Sequence, residues 1–91
     1  MGGIPRISNV TAVRNSVLLV EFDDGTRRRC DCSPLFARPN FALLKTPAFF
    51  RAVRVDPGGY GVSWNDALDL SEYELWTNGE PVDDQAAKVG E

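Results

Sequence analysis

The chain has 91 residues, with 10 Lys and Arg against 13 Asp and Glu, no His and two Cys, so its formal net charge is −3. This length predicts one domain, and a content of 43% hydrophobic and 25% charged residues is typical of a soluble globular protein. The lack of His excludes Ser-His-Asp and Cys-His catalysis and every His-ligated metal site. The acids Asp66, Asp69, Glu72 and Glu74 could hold a divalent metal or act as paired carboxylates, but their place around the start of a helix favours capping. Since no other catalytic or metal-binding arrangement is present, we expect no enzyme, no metal and no cofactor.

The cysteines and the first residues indicate the compartment. Cys30 and Cys32 lie two apart in a predicted strand, too far from each other for an unstrained disulfide. We interpret them as reduced thiols acting as small hydrophobic residues, because a zinc site needs about four ligands. The first residues lack the pattern of a signal peptide, and the longest apolar run, residues 17–20, is too short to cross a membrane. We expect a cytoplasmic protein.

Three strands come first in the chain, at residues 7–14, 17–22 and 26–32. The Asp23-Asp24-Gly25 sequence between the second and third predicts a hairpin. A three-residue loop with left-handed Gly25 places Phe22, Val20 and Leu18 on the face of Thr26, Arg28 and Cys30, with Glu21 opposite Arg27. We choose this register because the two-residue alternative would bury two Arg and an Asp on the apolar face.

Short helical turns and two further strands follow. Ser33-Pro34 and Thr46-Pro47 both have a capping residue before a proline, which predicts two helical turns with Ser33 and Thr46 as caps. Residues 41–44 are predicted to cross over the core. We expect a fourth strand at 51–55, a turn at 56–59 and a fifth strand at 60–64.

The last element is a helix. Ser71 and Glu74 form a capping box, Leu70 and Leu75 form a hydrophobic staple, and Asn78-Gly79 ends the helix after about two turns. Residues 80–91 are acidic and lack apolar periodicity, which predicts a flexible C-terminal tail. The fold prediction is a single α+β domain over residues 1–79. It has a mostly antiparallel sheet of about five strands, with two or three short helices on one face. Its predicted core is Val10, Leu18, Val20, Phe22, Cys30, Leu35, Phe41, Leu44, Phe50, Val53, Val55, Val62, Trp64, Leu70 and Leu75.

Several short motifs follow one another in a fixed order along the chain. They are Phe22-Asp23-Asp24-Gly25, an Arg-rich strand ending at Asp31, Pro34-Leu35-Phe36, Phe41-Ala42-Leu43-Leu44, Phe49-Phe50, Val53-Arg54-Val55, Trp64-Asn65-Asp66-Ala67-Leu68-Asp69-Leu70 and Tyr73-Glu74-Leu75. Over roughly residues 8 to 77, this order resembles the small bacterial family called domain of unknown function 2442. It implies a small α+β domain on an antiparallel sheet, with no catalytic residues to transfer. Some family members are similar to antitoxins encoded beside a small toxin-like protein. That resemblance implies a small protein as partner.

Charge is unevenly distributed along the chain. Residues 27–54 hold seven basic residues and one acid, whereas residues 56–84 hold eight acids and no base. The basic stretch could be neutralised within the fold, could bind a protein partner, or could bind nucleic acid. The sequence pI of about 4.8 disfavours nucleic acid. Our first hypothesis is a non-enzymatic interaction protein, and the alternative is a nucleic-acid-binding accessory domain with an arginine-rich strand. The candidate contacts are Arg27, Arg29, Arg38, Arg51, Arg54 and Trp76.

Overall fold

Two antiparallel sheets form the scaffold of the protein in a computed structural model that describes residues 3–82. The first sheet has the order β1-β2-β3-β7 and the second β4-β5-β6. The strands are β1 (Ile7–Ala12), β2 (Val17–Phe22), β3 (Arg27–Asp31), β4 (Arg54–Val55), β5 (Gly61–Asn65), β6 (Leu68–Ser71) and β7 (Glu80–Val82). The predicted α+β class with antiparallel pairing is confirmed. The described part of the chain divides seven strands between two sheets rather than placing about five in one.

Short helices connect and cover the sheets. Two 3-10 helices, Ser33–Ala37 and Pro39–Lys45, lead into α1 (Pro47–Phe50), and a third, Pro57–Gly59, follows β4. Helix α2 spans Glu72–Asn78 and packs against β3, β5 and β6. No helix of residues 3–82 is long and apolar enough to cross a lipid bilayer.

The β2–β3 hairpin has the predicted register. Glu21 lies opposite Arg27, Val20 opposite Arg28 and Leu18 opposite Cys30. Gly25 has a φ of 91°, the left-handed conformation that the three-residue loop requires. Because this register turns the apolar row of β2 inward, Arg28 is the only arginine of β3 on the inner face.

The core is built mainly from the residues that the periodicity predicts. Val10, Leu35, Val53 and Val55 of the predicted set are partly buried and pack around the rest, which is buried. Ile7, Cys32 and Leu68 also belong to the buried core and were not predicted. Phe50 and Trp64 stack at 5.8 Å, and Trp64 Nε1–H donates to the Phe50 carbonyl at 2.9 Å. This contact fixes α1 on the second sheet.

Four local predictions need correction. Neither Ser33 nor Thr46 caps a helix with its side chain; instead the Asp31 carboxylate accepts from the Ser33 N–H at 3.0 Å. The fourth strand starts only at Arg54, because helical hydrogen bonds continue past α1, where Ala52 N–H donates to the Phe49 carbonyl. Strand β6 was not predicted. The capping box of α2, in contrast, is present as predicted.

The fourth correction concerns the C-terminal boundary. Residues 80–82, assigned to the tail, form β7 and pair with β3, so that Val82 lies opposite Arg27 and Glu80 opposite Arg29. The rest of the predicted tail, residues 83–91, lies outside the described residues. Pro81 lies at the position of β7 whose backbone nitrogen points away from β3. Since proline has no N–H, this edge of the first sheet offers no outward donor there.

Candidate functional site

The two predicted contact residues on β3 lie on the outer face of the first sheet, beside acids. Arg27 is half-buried and lies opposite Glu21, while Arg29 is exposed and lies opposite Glu80. Opposite charges at directly facing positions of a sheet attract each other. The register therefore places an acidic residue opposite each of these two arginines, on β2 and β7, although no carboxylate lies within 4.0 Å of Arg29 among the described residues.

The cations beyond β3 are in a different position. Residues 32–55 contain no Asp or Glu, and Arg38, Lys45, Arg51 and Arg54 are all exposed. Within residues 3–82, none of these four has a carboxylate within 4.0 Å. We call these four residues the cationic set. Leu43, 54% exposed, lies in the same segment and adds apolar surface to it.

The acids of residues 66–74 do not neutralise the cationic set by direct pairing. Glu72 pairs with Arg6 at 4.0 Å, and Arg6 precedes the basic stretch. The Arg6 guanidinium also lies 4.0 Å from the centre of the Tyr60 ring. Glu74 Oε1 accepts from the Ser71 N–H at 3.0 Å, which completes the capping box. Glu74 thus caps the start of α2, and Glu72 joins α2 to the segment before β1.

Trp76, the predicted aromatic contact, packs within the fold. Its ring meets Phe22 edge-on at a centroid distance of 5.0 Å. The guanidinium carbon of Arg28 lies 4.0 Å from the centre of the Trp76 ring. Arg28 Nη1–H also donates to the Gly79 carbonyl at 3.2 Å. The half-buried indole therefore joins α2 to the inner face of β2 and β3, and we leave it out of the candidate site.

A cleft of about 400 Å³ opens between the end of β3 and helix α2. Its apolar lining combines residues of both sheets and the first 3-10 helix, while polar side chains surround its opening. The apolar lining is Cys30, Cys32, Pro34, Leu35, Leu70 and Leu75, and the polar lining is Asp31, Arg38, Glu74 and Asn78.

Burial keeps the two thiols of the cleft in their protonated form. Burial raises the pKa of Cys30 to about 11 and that of Cys32 to about 12. The Cys30 thiol donates to the Leu75 carbonyl at 3.5 Å. Since the thiolate is the nucleophile and the metal ligand, these cysteines line the cleft as hydrophobic groups. Residues 3–82 contain no group of three or more His, Cys, Asp or Glu side chains placed to hold a metal ion.

The rim carboxylate Asp31 is held in its ionised form. The Ser33 backbone N–H, which bonds to it at 3.0 Å, lowers the pKa of Asp31. A second concavity, of about 360 Å³, lies beyond Asp31 and Asn78 and shares both of them with the cleft. It is also lined by Arg14, Val17, Arg29 and Glu80. Asp31 therefore borders both concavities, the first together with Arg38 and the second together with Arg29.

The structure brings together only part of the predicted contact set. Arg29 and Arg38 border the two concavities, whereas Arg27, Arg51 and Arg54 line neither. Sequence reasoning missed Arg14, which lies outside the basic stretch, and Asn78, which was read only as the end of the helix. Arg14 follows the end of β1 and Asn78 ends α2. Neither position indicates a site in the sequence, because the role of both residues depends on how α2 packs on β3.

A family model described as "Protein of unknown function (DUF2442)" matches residues 7–81. The chain belongs to the DUF2442 family. No curated protein and no solved structure matches the chain. The match of this DUF2442 chain runs from the first residue of β1 to Pro81 in β7. It therefore includes the first two residues of the strand that the sequence analysis assigns to the tail.

Proposed function

We propose that this DUF2442 chain is a non-enzymatic interaction module that binds a small protein partner, as the resemblance to antitoxin-like proteins implies. The observation that carries the proposal is the cationic set, four exposed cations without a direct carboxylate partner among residues 3–82. Exposed Leu43 lies among them. Cationic and apolar groups on one segment are suited to a partner with an acidic and apolar surface.

A protein partner is a better match than nucleic acid. Arg27 and Arg29, the arginines of the predicted phosphate-binding strand, each face a carboxylate across the sheet. A phosphate backbone approaching β3 would meet Glu21 and Glu80 together with the arginines. A protein surface can present charges of both signs, so it can match this mixed pattern.

Co-purification with the small protein encoded beside this gene tests the proposal. We expect a complex of the two chains, detected by size-exclusion chromatography and measured by calorimetry. Its affinity should fall about tenfold or more when Arg38, Arg51 and Arg54 are changed together to Glu, because like charges then face the partner. Thr11→Glu adds a negative charge at an exposed position of β1 that belongs neither to the cationic set nor to the two concavities, and it is the control.

Two outcomes would contradict the proposal. One is the absence of a complex under conditions in which both chains are folded. The other is binding of a 20-nucleotide single-stranded RNA or DNA at low salt, with the steep salt dependence of phosphate contacts. The second outcome would favour the nucleic-acid alternative.

A further inference from the structure

The helical segment of residues 33–52 has one side in the core and one side on the surface. Its two 3-10 helices and α1 pack against one another in chain order. They turn Phe41, Leu44 and Phe50 into the core. Nearly all the residues between these three are exposed, so they form the outward side of the segment.

The outward side is made largely of small apolar side chains. Besides Leu43, its exposed apolar residues include Ala37, Pro39, Ala42, Pro47, Ala48 and Ala52. Ala and Pro lose almost no rotamer freedom when they are buried. A partner that covers this side therefore pays little in side-chain entropy, which is one of the main costs of association.

Leu43 is the large apolar side chain that is exposed on this outward side. It is 54% exposed, whereas the neighbouring Leu44 is fully buried and holds the backbone in place. The other large apolar side chains that are exposed within residues 3–82, Val13, Tyr60 and Tyr73, lie outside the segment. A Leu side chain presented in this way gains the free energy of apolar burial when a partner offers it a pocket.

The charges of the segment indicate what surrounds such a pocket. Lys45 ends the same 3-10 helix that holds Leu43, and Arg51 directly follows α1. Residues 32–55 contain no Asp or Glu, and no member of the cationic set has a carboxylate within 4.0 Å among the described residues. A surface with cations and no acids repels a basic partner and attracts an acidic one.

We infer that Leu43 enters an apolar pocket on an acidic surface of the protein partner. The small apolar side chains around Leu43 pack against the edge of that pocket, and the cationic set pairs with carboxylates beside it. The inference rests on the proposed function, and it specifies the anchor residue of this chain and the chemistry of the surface that receives it.

Leu43→Ala tests the anchor in the complex with the small protein encoded beside this gene. Calorimetry should give an affinity about tenfold lower than that of the wild type, because the exposed part of the Leu side chain no longer leaves water on binding. Val13→Ala shortens an exposed apolar side chain just after β1, outside the segment, and is the matched control. It should bind as the wild type does. Thermal unfolding of both variants verifies that they are folded.

Salt separates the anchor from the charges. Because salt screens interactions between exposed charges, the loss of affinity caused by Arg51→Glu should shrink between about 50 and about 500 mM sodium chloride. The loss caused by Leu43→Ala should stay the same over this range, since burial of an apolar side chain involves no charge. A Leu43→Ala loss that disappears at high salt would contradict an apolar anchor.

The outcomes distinguish this inference from the proposed function. A complex that Leu43→Ala weakens no more than Val13→Ala does would overturn the inference and leave the proposed function standing. A dimer of this chain alone that Leu43→Ala abolishes would also overturn the inference, because the surface would then bind a second copy. Failure of the two folded chains to form a complex would contradict the proposed function and the inference together.

Discussion

Arg28 and Trp76 form a cation–π contact, with the guanidinium carbon 4.0 Å from the ring centre. The contact joins the inner face of β3 to helix α2, and the same guanidinium donates to the Gly79 carbonyl just after the helix. A cation at the end of a helix also interacts favourably with the helix dipole. Arg28 thus occupies an inward position where an apolar residue would be usual. Its contacts with Trp76 and the Gly79 carbonyl stabilise the end of α2.

Replacing Arg28 should therefore destabilise the fold. We expect Arg28→Met to lower the free energy of unfolding by about 2 kcal/mol, from the lost cation–π contact and charged hydrogen bond. Urea denaturation measures the change. Arg29→Met, on the exposed outer face of the same strand, is the control and should change it by no more than about 0.5 kcal/mol. Equal effects of the two variants would contradict this role.

The hairpin register and the missing strands show what the sequence could predict. The register was predictable because only one choice keeps Arg27, Arg29 and Asp31 off the apolar face of β2. Strand β7 was not, because Glu80-Pro81-Val82 contains a proline and has one apolar residue that could mark a face. Its formation depends on a ladder with β3, about fifty residues earlier in the chain, and local patterns contain no such information.

The candidate site was predictable only as a set of residues. The excess of cations over residues 27–54 is visible in the sequence, and so is the absence of acids over 32–55. The position of Glu80 opposite Arg29 depends on β7, and the presence of Arg38, Cys32 and Leu75 in the lining of one cleft depends on how α2 packs. Both are tertiary relationships between distant segments, so they could be obtained only from the structure.

Gly25 should be required for the hairpin turn. Its φ of 91° is unfavourable for a residue with a side chain, and a Cβ there would have no atom within 4 Å, so the cost of a substitution is backbone strain alone. We expect Gly25→Ala to reduce the free energy of unfolding by about 1–2 kcal/mol. Gly3→Ala, at an open and exposed position, should have almost no effect in the same urea denaturation. A similar loss in both variants would be evidence against the left-handed turn.

The buried thiols should make stability depend on pH in the alkaline range. Because burial raises the pKa of Cys30 to about 11 and that of Cys32 to about 12, the unfolded chain loses these protons first as the pH rises above about 9. The free energy of unfolding should then fall, by up to about 1.4 kcal/mol per pH unit for each thiol. Denaturation curves at pH 8, 9 and 10 measure this slope.

A variant and a chemical probe isolate the contribution of the thiols from that of Tyr and Lys. The double variant Cys30→Ala and Cys32→Ala should flatten the slope between pH 9 and 10. At pH 8 a thiol reagent such as 5,5′-dithiobis(2-nitrobenzoate) should react with the folded protein far more slowly than with the unfolded chain, since the folded thiols are protonated. Rapid reaction of the folded protein would show that the cleft exposes a thiolate.

Pro81 should protect the β7 edge of the first sheet. In the β3–β7 ladder, Val82 lies opposite Arg27 and Glu80 lies opposite Arg29. The backbone nitrogen of Pro81, between Glu80 and Val82, points away from β3 and carries no hydrogen. Pro81→Thr supplies that donor, so another chain can pair with the edge. We expect its sedimentation coefficient to rise with protein concentration more steeply than that of the wild type. Glu80→Thr, whose backbone already faces β3, should behave as the wild type does, and equal self-association of both variants would rule out a protective role for Pro81.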